Sequence, residues 1–278
     1  MKMESKRIIE SKSDINCNTL SEYQKLKQKF QKSICLIEIN NKRISNGILV
    51  KIPFGLYKHP YMFIDKTYYA LIIHNFNLDK KDISLYNEIK IILNDKPYFL
   101  LTIDNYRKIY RSKNKDGITI IEIKDTDGLD VDSFLYIDPK IIYYEGNNIY
   151  LNNYAYLINN QYENNLEFLT IFIKNIQSGK YEIKDFNSLK KISIGSPIIN
   201  VNNSKLIGIY NDYDSISNSI IGASIKVPIH KFKKKIIKEL KEEQNENEND
   251  IENGITIIYK CLGKNKIKLF GKEFVDNN

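Results

Sequence analysis

Cysteine and histidine are scarce in this 278-residue sequence, which contains three of each and no tryptophan. Cys17, Cys35 and Cys261 are too few and too widely spaced for a disulfide framework or a zinc cluster. With only three histidines as further ligands, metal chemistry has little support. We therefore expect no metal site and no cofactor, and a reducing, intracellular environment such as the cytoplasm.

Long apolar runs are also lacking. No stretch reaches the 18 or more consecutive apolar residues that a membrane-spanning helix needs. The charged start of the chain, residues 1–7, is not followed by the apolar stretch of a secretory signal. The sequence therefore predicts neither a membrane-spanning nor a secreted protein.

Basic residues outnumber acidic ones by 42 to 34, which gives a formal net charge of +8. Abundant Lys, Asn and Ile are typical of an A/T-rich coding sequence, so this charge is weak support for a nucleic-acid partner. A solvated lysine-rich surface is the simpler interpretation. The 42% of hydrophobic residues suffices for one large β domain or two smaller ones.

Most of the chain consists of short runs rich in Ile, Tyr and Phe, separated by turn signals such as Asn-Asn and Asp-Gly. They form two groups. The first comprises 33–40, 47–52, 61–64, 68–73, 89–93, 98–103, 108–111 and 118–123, and the second comprises 134–137, 141–144, 153–158, 168–176, 181–183, 197–201, 206–210 and 219–227. Many short strands at close spacing predict an all-β sandwich or a pair of barrels.

Helical periodicity occurs at both ends of the strand region. Leu20, Tyr23, Leu26 and Phe30 predict a short helix over 19–32, and Pro228 opens a second, lysine-rich amphipathic helix. The predicted organisation is a flexible arm (1–18), a helix and first barrel (19–130), a second barrel and helix (131–241), an acidic linker (242–254) and a β-hairpin tail (255–278). Strands 255–259 and 266–270 are expected to form that hairpin.

Four segments of the chain stand in the same order as the corresponding motifs of one enzyme family. They are Gly-Ile-Leu-Val-Lys-Ile-Pro-Phe at 47–54, Ala-Leu-Ile-Ile-His-Asn-Phe-Asn-Leu at 70–78, Asp-Gly-Ile-Thr-Ile-Ile-Glu-Ile at 116–123, and Gly-Ser-Pro at 195–197 followed by Ile-Gly-Ile at 207–209. Together they resemble the trypsin-like serine protease superfamily. The resemblance implies two six-stranded antiparallel β-barrels with the chymotrypsin-like arrangement, over roughly residues 33–232.

The same resemblance implies a degenerate site. Such enzymes need a serine, a histidine base and an orienting carboxylate, but the corresponding positions carry Ile194, Phe76 and Gly117. Ile192 replaces the glycine that precedes the nucleophile by two, which disfavours an oxyanion-binding turn. We expect a catalytically inactive homologue in which Phe76 and Ile194 fill the vacated space.

Neighbouring residues leave an alternative open. His74, Asp116 and Ser193 lie one or two positions from the expected triad, so a shifted register would give an active serine endopeptidase. Because a one-residue shift on a strand turns a side chain to the opposite face, Asp116 and Ser193 would each need a compensating bulge. The inactive interpretation is therefore favoured.

Two kinds of partner follow from these interpretations. An inactive homologue would keep the cleft between the barrels and could bind an extended peptide or protein there by strand addition. Alternatively, the lysines from Lys231 to Lys238 could bind an anionic partner, although the acidic stretch that follows would partly neutralise them. No membrane partner is expected, and the sequence predicts no particular oligomeric state.

Overall fold

A computed structural model describes residues 17–53, 57–59, 62–64, 67–93, 98–113, 117–143, 150–161, 165–177, 179–184, 192–214, 219–239, 242, 266–269 and 272–275. The chain divides into two compact units, Met1–His230 and Lys231–Asn278. The predicted arm up to residue 16, the acidic linker from residue 243, and Asp116 lie outside the described residues. The predicted domain boundaries stay predictions.

The first group of strands follows helix α1 (Cys17–Ser33) and forms a curled sheet in the order β7-β6-β1-β2-β5-β9-β8, with β10 pairing parallel to β2. A small separate hairpin joins β3 to β4. The strands are β1 (Ile34–Ile39), β2 (Lys42–Pro53), β3 (Tyr57–His59), β4 (Met62–Ile64), β5 (Thr67–His74), β6 (Glu88–Leu93), β7 (Phe99–Thr102), β8 (Ile109–Arg111), β9 (Ile118–Ile123) and β10 (Leu135–Tyr136).

The turn between β1 and β2 determines how the first two strands of this sheet pair. Asn40 and Asn41 have φ angles of 52° and 59°, and two left-handed residues in succession are the signature of the hairpin turn that matches the twist of paired strands. Asparagine tolerates that conformation better than most residues. The turn fixes the register so that Cys35, Ile37 and Ile39 all enter the core of the sheet.

A buried ion pair connects the loop before β8 to the segment after β9. The guanidinium of Arg107 donates to both carboxylate oxygens of Asp127, at 2.7 and 2.9 Å, and also to the carbonyl oxygens of Thr102 and Glu122. The Arg107 side chain is only 3% exposed. Four donated hydrogen bonds satisfy a charge that would otherwise be costly to bury.

The second group of strands forms a closed six-stranded barrel in the order β11-β12-β13-β16-β15-β14. These strands are β11 (Asn153–Gln161), β12 (Asn165–Gln177), β13 (Lys180–Lys184), β14 (Pro197–Asn200), β15 (Lys205–Asp214) and β16 (Ser219–Ser224). Tyr181 is buried, and its hydroxyl donates to the carbonyl oxygen of Ile207 at 3.1 Å. A Cβ at Gly208 would lie 2.6 Å from the Tyr181 ring, so this glycine makes room for the aromatic side chain.

The segment between the two barrels is held by Asp138. Its backbone N–H donates to the carbonyl oxygen of Leu206 at 3.0 Å, and its carboxylate accepts from the amides of Asn200 and Asn203 and from the N–H of Lys140. Burial alone would raise the pKa of Asp138, but these hydrogen bonds outweigh burial and hold the pKa below its ordinary value. The carboxylate therefore attaches the connecting segment to the β14–β15 hairpin in its ionised form.

The predicted all-β fold with two chymotrypsin-like barrels is confirmed, with one difference of detail. The second barrel closes, whereas the first is an eight-stranded curled sheet whose described edge strands are β7 and β8. The strand predicted at 141–144 is wrong, because residues Pro139–Tyr143 form a short helix, α2. Asp138 caps that helix and proline occupies its first position, a common way to start a helix.

The C-terminal elements match the predicted types but not all of the predicted residues. A helix, α3, spans residues 226–239, with Pro228 in its first turn, where proline is tolerated. The structure pairs β17 (Lys266–Leu269) with β18 (Lys272–Val275), while residues 255–259, the expected partner of 266–270, lie outside the described residues. None of the helices described is long and apolar enough to cross a membrane.

Candidate active site at the barrel junction

His74 lies at the end of β5 and is 1% exposed. Its Nδ1 accepts a hydrogen bond from the backbone N–H of Phe76 at 3.0 Å, and its Nε2 is hydrogen-bonded to Oδ1 of Asn211 on β15 of the second barrel. Because Nδ1 is an acceptor, this network assigns the ring proton to Nε2, which donates to the Asn211 amide oxygen. Both ring nitrogens are thus engaged in hydrogen bonds within the protein.

Asn75 anchors the segment that follows β5. Its N–H donates to the carbonyl oxygen of Gly117 at 2.9 Å, its side-chain oxygen accepts from the Thr119 hydroxyl at 2.6 Å, and its side-chain amide donates to the carbonyl oxygen of Ser112 at 3.1 Å. Gly117, the position expected for the orienting acid, therefore lies directly beside the segment expected to carry the base. Asp116 is outside the described residues.

Phe76 does not fill a vacated site. Its side chain is 54% exposed, so the expectation that it packs into the junction is wrong. The physical reason is that β5 ends at His74, and the turn that follows directs Phe76 outward while the imidazole of His74 occupies the buried position. Leu78, two residues later, returns to the core and is 2% exposed.

The Gly-Ser-Pro segment forms a tight turn held by internal hydrogen bonds. Gly195 adopts a left-handed φ of 85°, and its N–H donates to the carbonyl oxygen of Tyr210 at 2.9 Å. The Ser196 hydroxyl is fully buried and donates to the carbonyl oxygen of Ser193 at 2.7 Å. The backbone N–H of Ser193 donates to the Asn159 side-chain oxygen at 3.0 Å. The amides of Ser193 and Gly195 are thus both used in hydrogen bonds within the protein.

Asn46, on β2 of the first sheet, connects this turn to the other barrel. Its backbone N–H donates to the carbonyl oxygen of Ile194 at 3.2 Å, and its side-chain amide donates to the Ser196 hydroxyl at 3.1 Å. A Cβ at Gly195 would lie 2.7 Å from the carbonyl oxygen of Asn46. The two backbones approach so closely that only glycine fits at position 195.

The structure therefore brings the expected base, acid and nucleophile segments to one junction, but it gives their polar groups structural partners. His74 is bonded to Asn211, and Ser193 to Asn159. The triad of His74, Asp116 and Ser193 stays a prediction. Asn46, Asn159 and Asn211 are not among the residues predicted from the sequence. The available signal was an asparagine within or at the end of an otherwise apolar strand, where a buried amide needs partners.

Alternative chemistry has no support in the part of the chain that the structure describes. Cys35 is fully buried in the core of the first sheet, and burial raises the pKa of its thiol far above the usual range, so it is not a reactive thiolate. No group of three or more His, Cys, Asp or Glu side chains among the described residues is placed to hold a metal ion.

No family model matches the sequence, and no curated protein matches it. Among solved structures, the catalytically active tobacco etch virus protease complexed with product is similar over 71% of this chain and 75% of its own, at 10% identity and a TM-score of 0.44. The apo MamO protease domain from Magnetospirillum magneticum is similar over 73% and 96%, at 9% identity and a TM-score of 0.44. The tobacco vein mottling virus protease is similar over 71% and 79%, at 12% identity and a TM-score of 0.43. These likenesses are too distant to indicate an activity for this chain.

Proposed function

We propose that this chain is a catalytically inactive homologue of the trypsin-like serine proteases that binds an extended segment of another protein. The main observation behind the proposal is that both nitrogens of the His74 ring are hydrogen-bonded within the protein. The Phe76 N–H occupies its only basic nitrogen, and Asn211 accepts the proton on the other. A general base must present a free lone pair to the nucleophile, and this imidazole uses its lone pair to hold the junction together.

The nucleophile segment supports the same proposal. Ile194 stands at the position of the reactive serine, and its carbonyl oxygen accepts from Asn46. The hydroxyl of Ser196 is buried and hydrogen-bonded as both donor and acceptor. Replacing a catalytic group by such internal hydrogen bonds favours stability over reactivity, because buried polar groups without partners cost about 1–3 kcal/mol.

Peptide binding is supported by the surface next to the junction. Phe76 is bonded through its backbone to the buried His74 yet leaves its ring largely exposed. Exposed aromatic side chains at a cleft are frequent anchors for partner proteins. On the other barrel, the ladder between β14 and β15 ends at Pro197 and Ile209, whereas β15 continues to Asp214 beside β16. Phe76 and the end of β15 would then form two sides of the proposed peptide-binding cleft.

The inactive site is tested by labelling the full chain with a fluorophosphonate probe and locating any adduct by peptide mass spectrometry. The expected result is no adduct under conditions in which trypsin is fully labelled. An adduct at Ser193 that is lost in the Ser193→Ala variant would overturn this half of the proposal and favour the alternative of an active serine endopeptidase.

Peptide binding is tested separately by panning the full chain against a phage-displayed library of random decapeptides. Selected peptides should bind about tenfold more weakly to Phe76→Ala, as expected when an interface anchor is removed. Tyr154→Ala is the matched control, because Tyr154 is also an exposed aromatic residue, at 56% against 54% for Phe76, but packs on Phe172 of its own barrel. Failure to enrich any peptide, or equal binding by wild type and Phe76→Ala, would refute the proposed cleft site.

A further inference from the structure

A separate cavity of about 350 Å³ lies on the first sheet. Its lining includes Glu38 of β1, Lys90 of β6 and Leu100 of β7. These three side chains point outward, since the residues that alternate with them, Ile37, Ile89 and Leu101 among others, belong to the core. The Cα partners Glu38 and Lys90, and Lys90 and Leu100, form one row across the outer face.

The cavity carries an excess of negative charge on a chain whose net charge is +8. Lys90 Nζ lies 3.0 Å from Oε2 of Glu38 and 4.8 Å from the centre of the Tyr98 ring. That ion pair neutralises Glu38. Glu88, the other carboxylate in the lining, has no ion-pair partner among the residues described and is exposed to solvent. Among the described residues, one carboxylate at the cavity is therefore without an ion-pair partner.

The rim of the cavity holds an aromatic ring in an unusual backbone conformation. Tyr86 has a φ of 66°, which is uncommon for a bulky residue. Its N–H donates to the carbonyl oxygen of Ile103 at 2.7 Å, and the N–H of Ile103 donates to the carbonyl oxygen of Asn87 at 2.9 Å. These bonds hold the backbone in place, while the ring is 74% exposed. A turn needed only for its shape would favour glycine or asparagine here, and strained positions of this kind cluster at binding sites.

We propose that this cavity binds a basic side chain, arginine in particular, presented by an extended segment of a partner protein. Glu88 would accept charge-assisted hydrogen bonds from the guanidinium, the face of Tyr86 would receive its cation–π contact, and Leu100, which is 51% exposed, would cover its methylene stem. Leu100 belongs to β7, one of the two edge strands of the sheet among the described residues, and an edge strand offers backbone groups to an added strand. This site is distinct from the barrel junction and does not depend on the function proposed there.

The test uses the full chain and the extended peptide acetyl-Thr-Val-Arg-Val-Thr-amide, with binding followed residue by residue in ¹H–¹⁵N spectra. We expect saturable shifts at the amides of Tyr86, Glu88 and Leu100. The same peptide with citrulline in place of arginine is neutral and nearly isosteric, and it should bind about tenfold more weakly because the charge-assisted contacts are lost.

Two variants locate the site. Glu88→Gln removes the carboxylate without changing its size and should weaken the arginine peptide by about tenfold, whereas Asp132→Asn, at an exposed carboxylate outside the lining, should not change the affinity. Tyr86→Asn suits the left-handed backbone but lacks the ring, so it should also weaken binding while the rest of the spectrum stays that of the folded protein. Equal affinity for the arginine and citrulline peptides, no saturable shift at the three amides, or an unchanged affinity in Glu88→Gln would each overturn the proposal.

Discussion

The imidazole of His74 and the side-chain amide of Asn211 join the two barrels through a buried hydrogen bond between residues 137 positions apart in the chain. The bond uses the N–H of a histidine that is 1% exposed and the oxygen of an asparagine that is 4% exposed. Neither group can recover a water partner when the other is removed.

A double-mutant cycle on this pair should therefore show coupling. Asn211→Leu removes the acceptor of the buried His74 N–H, and His74→Leu removes the donor to the buried Asn211 oxygen, so each single change should lower the free energy of unfolding by about 1–3 kcal/mol. The double variant should cost less than the sum of the two, with a coupling of about 0.5–3 kcal/mol. Urea denaturation of the four proteins measures this, and strictly additive losses would show that the bond contributes nothing.

Gly195 should tolerate no side chain. Its left-handed φ and the approach of Asn46 within 2.7 Å of a Cβ both oppose alanine, so Gly195→Ala should lower the free energy of unfolding by about 3 kcal/mol. Gly128 is the matched control: its φ is 74°, but a Cβ there would meet nothing within 4 Å. Gly128→Ala should lower the free energy of unfolding by only about 1 kcal/mol, because the left-handed backbone conformation alone opposes a side chain there. Equal losses in thermal or urea denaturation would mean that the inter-barrel contact does not constrain position 195.

The buried pair of Arg107 and Asp127 should be worth much more than a pair at the surface. Arg107→Met leaves a carboxylate that is 13% exposed without its partner, and we expect a loss of about 3–5 kcal/mol. Lys174→Met breaks a pair with Glu182 in which the lysine side chain is 61% exposed, and the loss there should stay below about 1 kcal/mol. Guanidinium denaturation of both variants checks the comparison. Similar losses would contradict the role assigned to burial.

Asp138 should make the stability of the protein depend on pH. Because its pKa is lowered in the folded state, its contribution is fully present above the ordinary aspartate pKa of about 3.9 and is lost as the pH falls through the lower, folded value. Asp138→Asn should therefore lower the free energy of unfolding by about 1–3 kcal/mol at neutral pH, and this difference should shrink on acidification below about pH 4. Urea denaturation at several pH values measures it, and a difference independent of pH would rule out an ionised Asp138 as the cause.

The sequence predicted most of the fold because its signals are local. Strand runs such as 118–123 and turn residues such as Asn40 and Asn41 determine conformation through immediate neighbours, and the structure has strand β9 over the same residues. The error at 141–144 is local too. Its apolar residues suit a strand or a helix equally well, and the helix-start signal at Asp138 and Pro139 decides between them.

The site was predicted only in outline because its details depend on contacts between distant residues. The order of the motifs pointed to residues 74–76, Gly117 and 193–196, and hydrogen bonds link these segments in the structure, whereas the triad itself stays a prediction. The sequence did not show that Phe76 turns outward, since that follows from where β5 ends relative to the second barrel. Nor did it show that Asn46 meets Ser196, because a residue 150 positions away supplies the partner.

The long sequence separation of the Asn46 contacts has a kinetic consequence. A bond that spans 150 residues closes a very large loop, and the entropy of closing it is recovered only when both barrels already offer their surfaces. The junction should therefore form after the rate-limiting step, so that changes at Asn46 mainly accelerate unfolding and leave the rate of refolding nearly unchanged. The hydrogen bonds between Asn46 and the 194–196 turn would then determine how long the native state persists.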